Sequence, residues 1–260
     1  MNDFWTPLRR TTPARIGLGR AGNGVSTRAL LEAGAAHALA RDAVHRALDH
    51  AALVGELAAL GAVHVASAAP DRATYLTRPD LGRRPDPDVP LPRSAGPVDL
   101  AVVLADGLSA TAVHRHAVPL LRSLLAALPP GTTVGPPVVA TQARVALGDH
   151  VGRALDAAMV LVLIGERPGL SSADSLGAYL TWSPRPGIAD SARNCVSNIR
   201  PPHGLSYAAA ARTLAGLMAG ARELGTTGVR LKDLGPGREL GPGRELGPGR
   251  ELGPGRELGG

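Results

Sequence analysis

One stretch of this chain has the residue types and the abrupt ending of a ligand-facing edge. It runs Met159-Val160-Leu161-Val162-Leu163-Ile164-Gly165-Glu166-Arg167-Pro168-Gly169-Leu170. Six apolar residues closed by a glycine predict a short strand buried on both faces. A carboxylate and a guanidinium follow at once, and Pro168 holds Arg167 extended while Pro168-Gly169 turns the chain. Open α/β sheets take ligands at the carboxyl ends of their parallel strands, which is where Glu166 and Arg167 stand. The same pair also suits an exposed strand end with a solvated carboxylate.

Other residue patterns carry less. Gly17-Leu18-Gly19-Arg20-Ala21-Gly22 matches the G-x-G-x-x-G dinucleotide fingerprint, with Asp42 downstream as the acid. The fingerprint needs a strand immediately before its first glycine, and Thr11-Thr12-Pro13-Ala14-Arg15-Ile16 is a poor one. His37, His45 and His50 lack the i, i+4 spacing of a metal pair and read as surface residues. His114-Arg115-His116 is too closely spaced for two ligands from one helix face. There is no P-loop, no H-E-x-x-H and no G-x-S-x-G. From the residues alone this is an α/β binding chain with no visible catalytic engine.

Composition narrows the class further. The chain has 260 residues, 44% hydrophobic but only 2% aromatic, so its core must be built from alanine, valine and leucine. A net charge of +6 permits an anionic partner. The arginines are scattered, however, and aromatics to stack bases are almost absent, which argues against nucleic acid. One cysteine, Cys195, rules out an internal disulfide framework. No window approaches the roughly 18 apolar residues that span a bilayer, so no membrane role is expected.

The expected fold class is α/β, in four segments. Residues 1–84 form a small, mostly helical N-terminal domain. Here Leu30, Leu31 and Leu39 supply one apolar face, Val44, Leu48, Leu57 and Leu60 another, and Arg41-Asp42 a break. Residues 85–97 are a proline-rich linker with prolines at 85, 87, 90, 92 and 97. Residues 98–233 are a Rossmann-like wound domain with a parallel sheet. Its strands are expected at 98–105, 138–140 and 159–164, its helices at 110–128, 149–157 and 206–224, and Asp106 and Ser109 as helix caps. Further extended pieces are expected at 178–182 and 195–199. Residues 234–260 repeat Leu-Gly-Pro-Gly-Arg-Glu in steps of six, which forbids helix or ladder and predicts a disordered tail without a chemical role.

Seven short blocks, in order, carry a resemblance. They are Leu8-Arg9-Arg10-Thr11 with Ala14-Arg15; Gly19-Arg20-Ala21-Gly22; and Tyr75-Leu76-Thr77-Arg78-Pro79-Asp80-Leu81-Gly82-Arg83-Arg84. Then come Asp106-Gly107-Leu108-Ser109, Gly165-Glu166-Arg167-Pro168-Gly169-Leu170, Ser183-Pro184-Arg185 and Cys195-Val196-Ser197-Asn198-Ile199. In these the chain resembles the small (light) subunit of adenosylcobalamin-dependent ethanolamine ammonia-lyase, from about Leu8 to Val229. The glycine fingerprint is then part of a family block, not a nucleotide site.

The resemblance implies an ammonia-lyase that converts ethanolamine to acetaldehyde and ammonia by radical chemistry that adenosylcobalamin supplies. It implies a large (heavy) subunit holding the ethanolamine site, several small–large pairs in a hetero-oligomer, and a cobalamin held between the two chains. Cofactor contacts are implied at Val145, Glu166 and Cys195, with no catalytic residue and no metal ligand in this chain. Glu166 is expected to accept from the corrin's amide side chains, and Val145 and Cys195 to pack on its apolar surface. The bacterial cytoplasm is the expected location; a microcompartment is the lesser alternative, because the start lacks the extension some relatives carry. A stand-alone corrinoid- or nucleotide-binding regulator is the alternative function.

Overall fold

The computed structural model describes residues 4–232, and the repeat at 234–260 lies outside them. Strand β2 (Val98–Ala105) forms because its eight residues are all apolar except Asp99. Beside it run β1 (Val63–Ala66), β3 (Val138–Thr141) and β4 (Ala157–Gly165), all parallel. Two further strands extend the sheet, β5 (Leu176–Trp182) antiparallel to β4 and β6 (Asn194–Ile199) antiparallel to β5. The order is β1-β3-β2-β4-β5-β6. The chain is therefore α/β, but its sheet is mixed where an all-parallel one was expected. Strand β5 returns from β4 through residues 166–175 with no crossover helix between them, and a connection of that length pairs antiparallel.

Strand β1 was not anticipated from the sequence. It follows two short helical segments and enters the sheet edge beyond β3, with Val63 opposite Val138. Earlier elements are α1 (Trp5–Arg9), α2 (Thr27–His45) and α3 (His50–Glu56), and α4 (Arg72–Thr77) follows β1. Ser26 caps α2 by accepting from the Ala29 N–H, as its type and place suggest. Two expectations about α2 fail. The break falls after His45 rather than at Arg41-Asp42, since those residues stay helical. And Leu30, Leu31 and Leu39 are 64–68% exposed, while the buried face is Ala29, Ala36 and Ala43. Small side chains let that face approach its neighbours closely, so burial follows size here and not hydrophobicity.

Helices cover the sheet on both faces. One face carries α5 (Ala110–Ala112), a π-helical turn over Val113–Ala117, α6 (Val118–Ala127) and α8 (Tyr207–Leu224). Their leucines pack on Leu100, Val102, Leu104, Leu161, Leu163, Ala178 and Leu180. The other face carries α7 (Leu147–Ala154), over Ala101, Val103, Val160 and Val162. Helix α7 starts two residues earlier than expected. Of the two expected caps, only Ser109 acts as one, accepting from the Ala112 N–H; Asp106 has other partners.

Candidate functional site

Strand alternation decides which side chains share a face. On β4, Val160, Val162 and Ile164 point to the α7 side, and Glu166 continues that series one residue past the strand. Gly177 and Tyr179 lie opposite Ile164 and Val162 on β5. Cys195 on β6 lies opposite Tyr179. Val145, just before α7, packs into the same cluster. The sheet thus brings Val145, Glu166 and Cys195 to one face, with Glu166 at the carboxyl end of β4 and Cys195 level with Val162 in its middle.

Helix α7 does not extend over β5 and β6 at this end. It is held low on β4 by two glycines one turn apart. A side chain at Gly148 would collide with Val162, and one at Gly152 would meet Pro184 and Val160. Its Asp149 forms a buried two-point ion pair with Arg193, 2.6 and 2.7 Å, and Arg193 also donates to Thr181 on β5. This pair ties α7 to the antiparallel strands below the open area. What remains is a shelf floored by Gly177, Tyr179 and Cys195 with Glu166 at its end.

Glu166 is fixed on that shelf. Its carboxylate accepts from the Ser175 hydroxyl and, at 3.3 Å, from the Asn198 N–H. Asn198 supplies that N–H from a left-handed conformation, φ 57°. A Cβ at Gly177 would lie 3.0 Å from Glu166 Oε1 and 3.2 Å from Tyr179 Cε2. The absent side chain lets the carboxylate lie flat against the sheet beside the phenol ring. Gly165 is required for a different reason: a Cβ there would strike the carbonyls of Ser109 and Asp106. Arg167, the other half of the charged pair, is exposed, and no ion pair joins it to Glu166.

Cys195 is exposed as a residue, yet its thiol is pushed up, first by desolvation and then by the Glu166 carboxylate, with Tyr179 opposing. The Tyr179 phenol is raised well above its usual value, chiefly by desolvation and next by Cys195 and Glu166. Both groups stay protonated at neutral pH. A neutral thiol is a poor nucleophile and a poor metal ligand, so Cys195 offers a surface for packing.

The crevice at which open α/β sheets take ligands lies between adjacent strands whose following helices go to opposite faces. Here these are β2 and β3, followed by α5–α6 on one face and α7 on the other. That crevice is filled by the chain itself. The Arg72 guanidinium donates to the Gly107 carbonyl at 2.9 Å and to the last turn of α2 through the Val44 carbonyl at 2.7 Å. It lies 3.4 Å from the Asp106 carboxylate and 4.8 Å over the Tyr75 ring. Asp106 accepts from the N–H groups of Gln142 and Ala143 at 2.8 and 2.9 Å. Burial pushes the Asp106 carboxyl up, opposed by those two N–H groups and by Arg72. Gln142 is held left-handed at φ 52°, and Tyr75 donates to the Ala143 carbonyl at 3.2 Å. Arg144 also stacks on Tyr75, 4.6 Å from its centroid. The loop leading to Val145 is therefore fixed by a buried polar network.

Most of this network is invisible in the sequence. Asp149 and Arg193 are 44 residues apart and Arg72 and Asp106 are 34 apart, with no local pattern to couple them. The alternation Gly177-x-Tyr179 was readable but carried no chemical signal. The region 17–22 is a loop with left-handed glycines at 17, 19 and 22, and no strand precedes it. No helix among the described residues is long and apolar enough to cross a membrane.

Comparison with known proteins gives the family. A family model described as "Ethanolamine ammonia-lyase light chain" matches residues 2–232. The chain is 52% identical over 234 residues to the ethanolamine ammonia-lyase small subunit of Rhodococcus erythropolis, covering 89% of this chain and 90% of that one. It is 56% identical over 232 residues to the small subunit of Rhodopseudomonas palustris (strain BisA53), covering 87% and 88%. Against the small subunit of Pseudomonas syringae pv. tomato the identity is 53% over 238 residues, covering 88% and 83%. With nearly the whole chain matched at this identity, it belongs to the light-chain family of ethanolamine ammonia-lyase, a carbon–nitrogen lyase.

Proposed function

We propose that the shelf on β5 and β6 is this chain's half of an adenosylcobalamin site, and that a large subunit closes it from above. The observation that carries the reading is convergence. Val145, Glu166 and Cys195 come from three separate loops and strands yet share one face, in the area that α7 leaves bare. A corrin is a broad ring with an apolar face and a rim of amide side chains. The floor of Gly177, Tyr179 and Cys195 suits the face, and a fixed carboxylate accepts from amide N–H groups at the rim. Adenosylcobalamin supplies radical chemistry when bound, for the conversion of ethanolamine to acetaldehyde and ammonia.

This chain's own part is to bind and to orient. Glu166, already anchored by Ser175 and Asn198, presents its remaining acceptor capacity without reorganisation. Val145 and Cys195 exclude water from the ring's apolar edge. The substrate site then belongs to the large subunit, in a hetero-oligomer of small–large pairs. Residues 98–233 act as the Rossmann-like cofactor half, with 1–84 as a mostly helical domain that lends β1 to the same sheet, 85–97 as linker and 234–260 as a tail without a role in the chemistry. The bacterial cytoplasm is the proposed location.

Co-expression with a large subunit tests the reading. Ammonia should be released from ethanolamine only when both chains and adenosylcobalamin are present. A purified two-chain complex that stays colourless after incubation with the cofactor would remove the cobalamin from this account. The runner-up, a stand-alone nucleotide-binding regulator, meets a specific obstacle: the crevice it would use holds Arg72.

A further inference from the structure

We propose that Tyr179 is a further cofactor-contacting residue of this chain, its ring forming the floor between the Glu166 and Cys195 contacts. The inference rests on the cobalamin reading above. Its basis is placement. Tyr179 lies directly opposite Cys195 across β5 and β6. On its other side the Gly177 position is 3.2 Å from its ring and 3.0 Å from Glu166 Oε1. A flat ligand that touches both the carboxylate and the thiol must pass over this ring. The other β5 positions do not serve: Ala178 and Leu180 point into the opposite core, Gly177 has no side chain, and Thr181 on the same face is buried against Arg193. The ring is only half-buried, though it packs on the α7-side cluster, so one face of it is available. Aromatic rings supply large rigid contact area at low entropic cost, which suits a macrocycle. The hydroxyl stays protonated at neutral pH with its proton directed to the Cys195 sulfur, which leaves its oxygen to accept from an amide N–H at the corrin rim.

Two variants in the two-chain complex test this, read by visible-absorbance titration with adenosylcobalamin and by the induced visible circular dichroism of the bound cofactor. Tyr179→Ala removes the floor and is expected to weaken affinity about tenfold or more and to alter the dichroism. Tyr179→Phe keeps the ring and loses the hydroxyl, so affinity should fall by about two- to tenfold, the scale of one net hydrogen bond. The apparent KM for ethanolamine should not change in either. Should the alanine variant fail to assemble, the phenylalanine variant decides. Glu166→Ala, measured beside them, separates the two levels. If it weakens binding while both tyrosine variants match the parent in affinity and dichroism, Tyr179 is not a contact and this proposal is overturned alone. If all three bind as the parent does, the cobalamin reading itself is wrong.

Discussion

Two neighbouring regions at the same end of the sheet have opposite characters. Between β2 and β3 the crevice is closed, filled by Arg72 and locked by Asp106, Tyr75 and Gln142. Over β5 and β6 the sheet is bare, with small or half-buried side chains and a carboxylate at the margin. A wound sheet usually offers its ligand the first of these places. This chain fills the first with its own side chains, and the second is where the cofactor is proposed to sit. The rigid network therefore acts as a foundation: it sets the loop before α7, and α7 sets where the shelf begins.

The largest expected effect breaks the boundary between the two. Arg193→Ala strands the buried Asp149 carboxylate, both side chains being at most 2% exposed. About 3–5 kcal/mol of stability should be lost, read from the urea midpoint. A loss under about 1 kcal/mol would mean that α7 is held without this pair. Next comes the closed crevice. Asp106→Asn can accept from only one of the two N–H groups and sets an amide donor against the other. About 1–3 kcal/mol should be lost, with greater protease sensitivity of the 142–146 loop. Unchanged sensitivity would show that Tyr75 and Arg144 suffice to hold that loop.

On the open side the effect should fall on binding instead. Glu166→Ala should cost about 1–3 kcal/mol of cobalamin affinity in the reconstituted complex. Its melting midpoint should move less than in either variant above. If stability fell as far as in Asp106→Asn, the shelf would be another structural network and the contrast would fail.

The smallest effect is in pH. His114 Nε2 accepts the Asp49 N–H at 3.0 Å, and its pKa is lowered by burial and by Arg46, against the pull of Asp49. Burial also lowers His64, His116 and His150. Each folded value lies below 6.5, so under that pH the unfolded chain binds more protons than the folded one. The stability they contribute is complete above that value and is lost as pH falls through it. Denaturation midpoints should therefore decline from about pH 7 to about pH 5, and His114→Gln should flatten the decline. A midpoint that rises on acidification would contradict the sign.

The sequence by itself determined the central strands and the family. The apolar run at 98–105 and the run ending at Gly165-Glu166 are legible because a buried strand has no other composition, and seven ordered blocks are specific where each alone is not. A local rule also placed the Ser109 cap, since a cap acts within three residues, although it named Asp106 as well. Only the tertiary structure decided the rest. That Leu30, Leu31 and Leu39 would be exposed depended on which face of α2 found a neighbour, and helical periodicity fits either. That β5 runs antiparallel to β4 depended on a direct return without a crossover helix. That Arg72 fills one crevice while Gly177 and Tyr179 floor another depended on contacts between residues far apart in the chain, which spacing cannot encode.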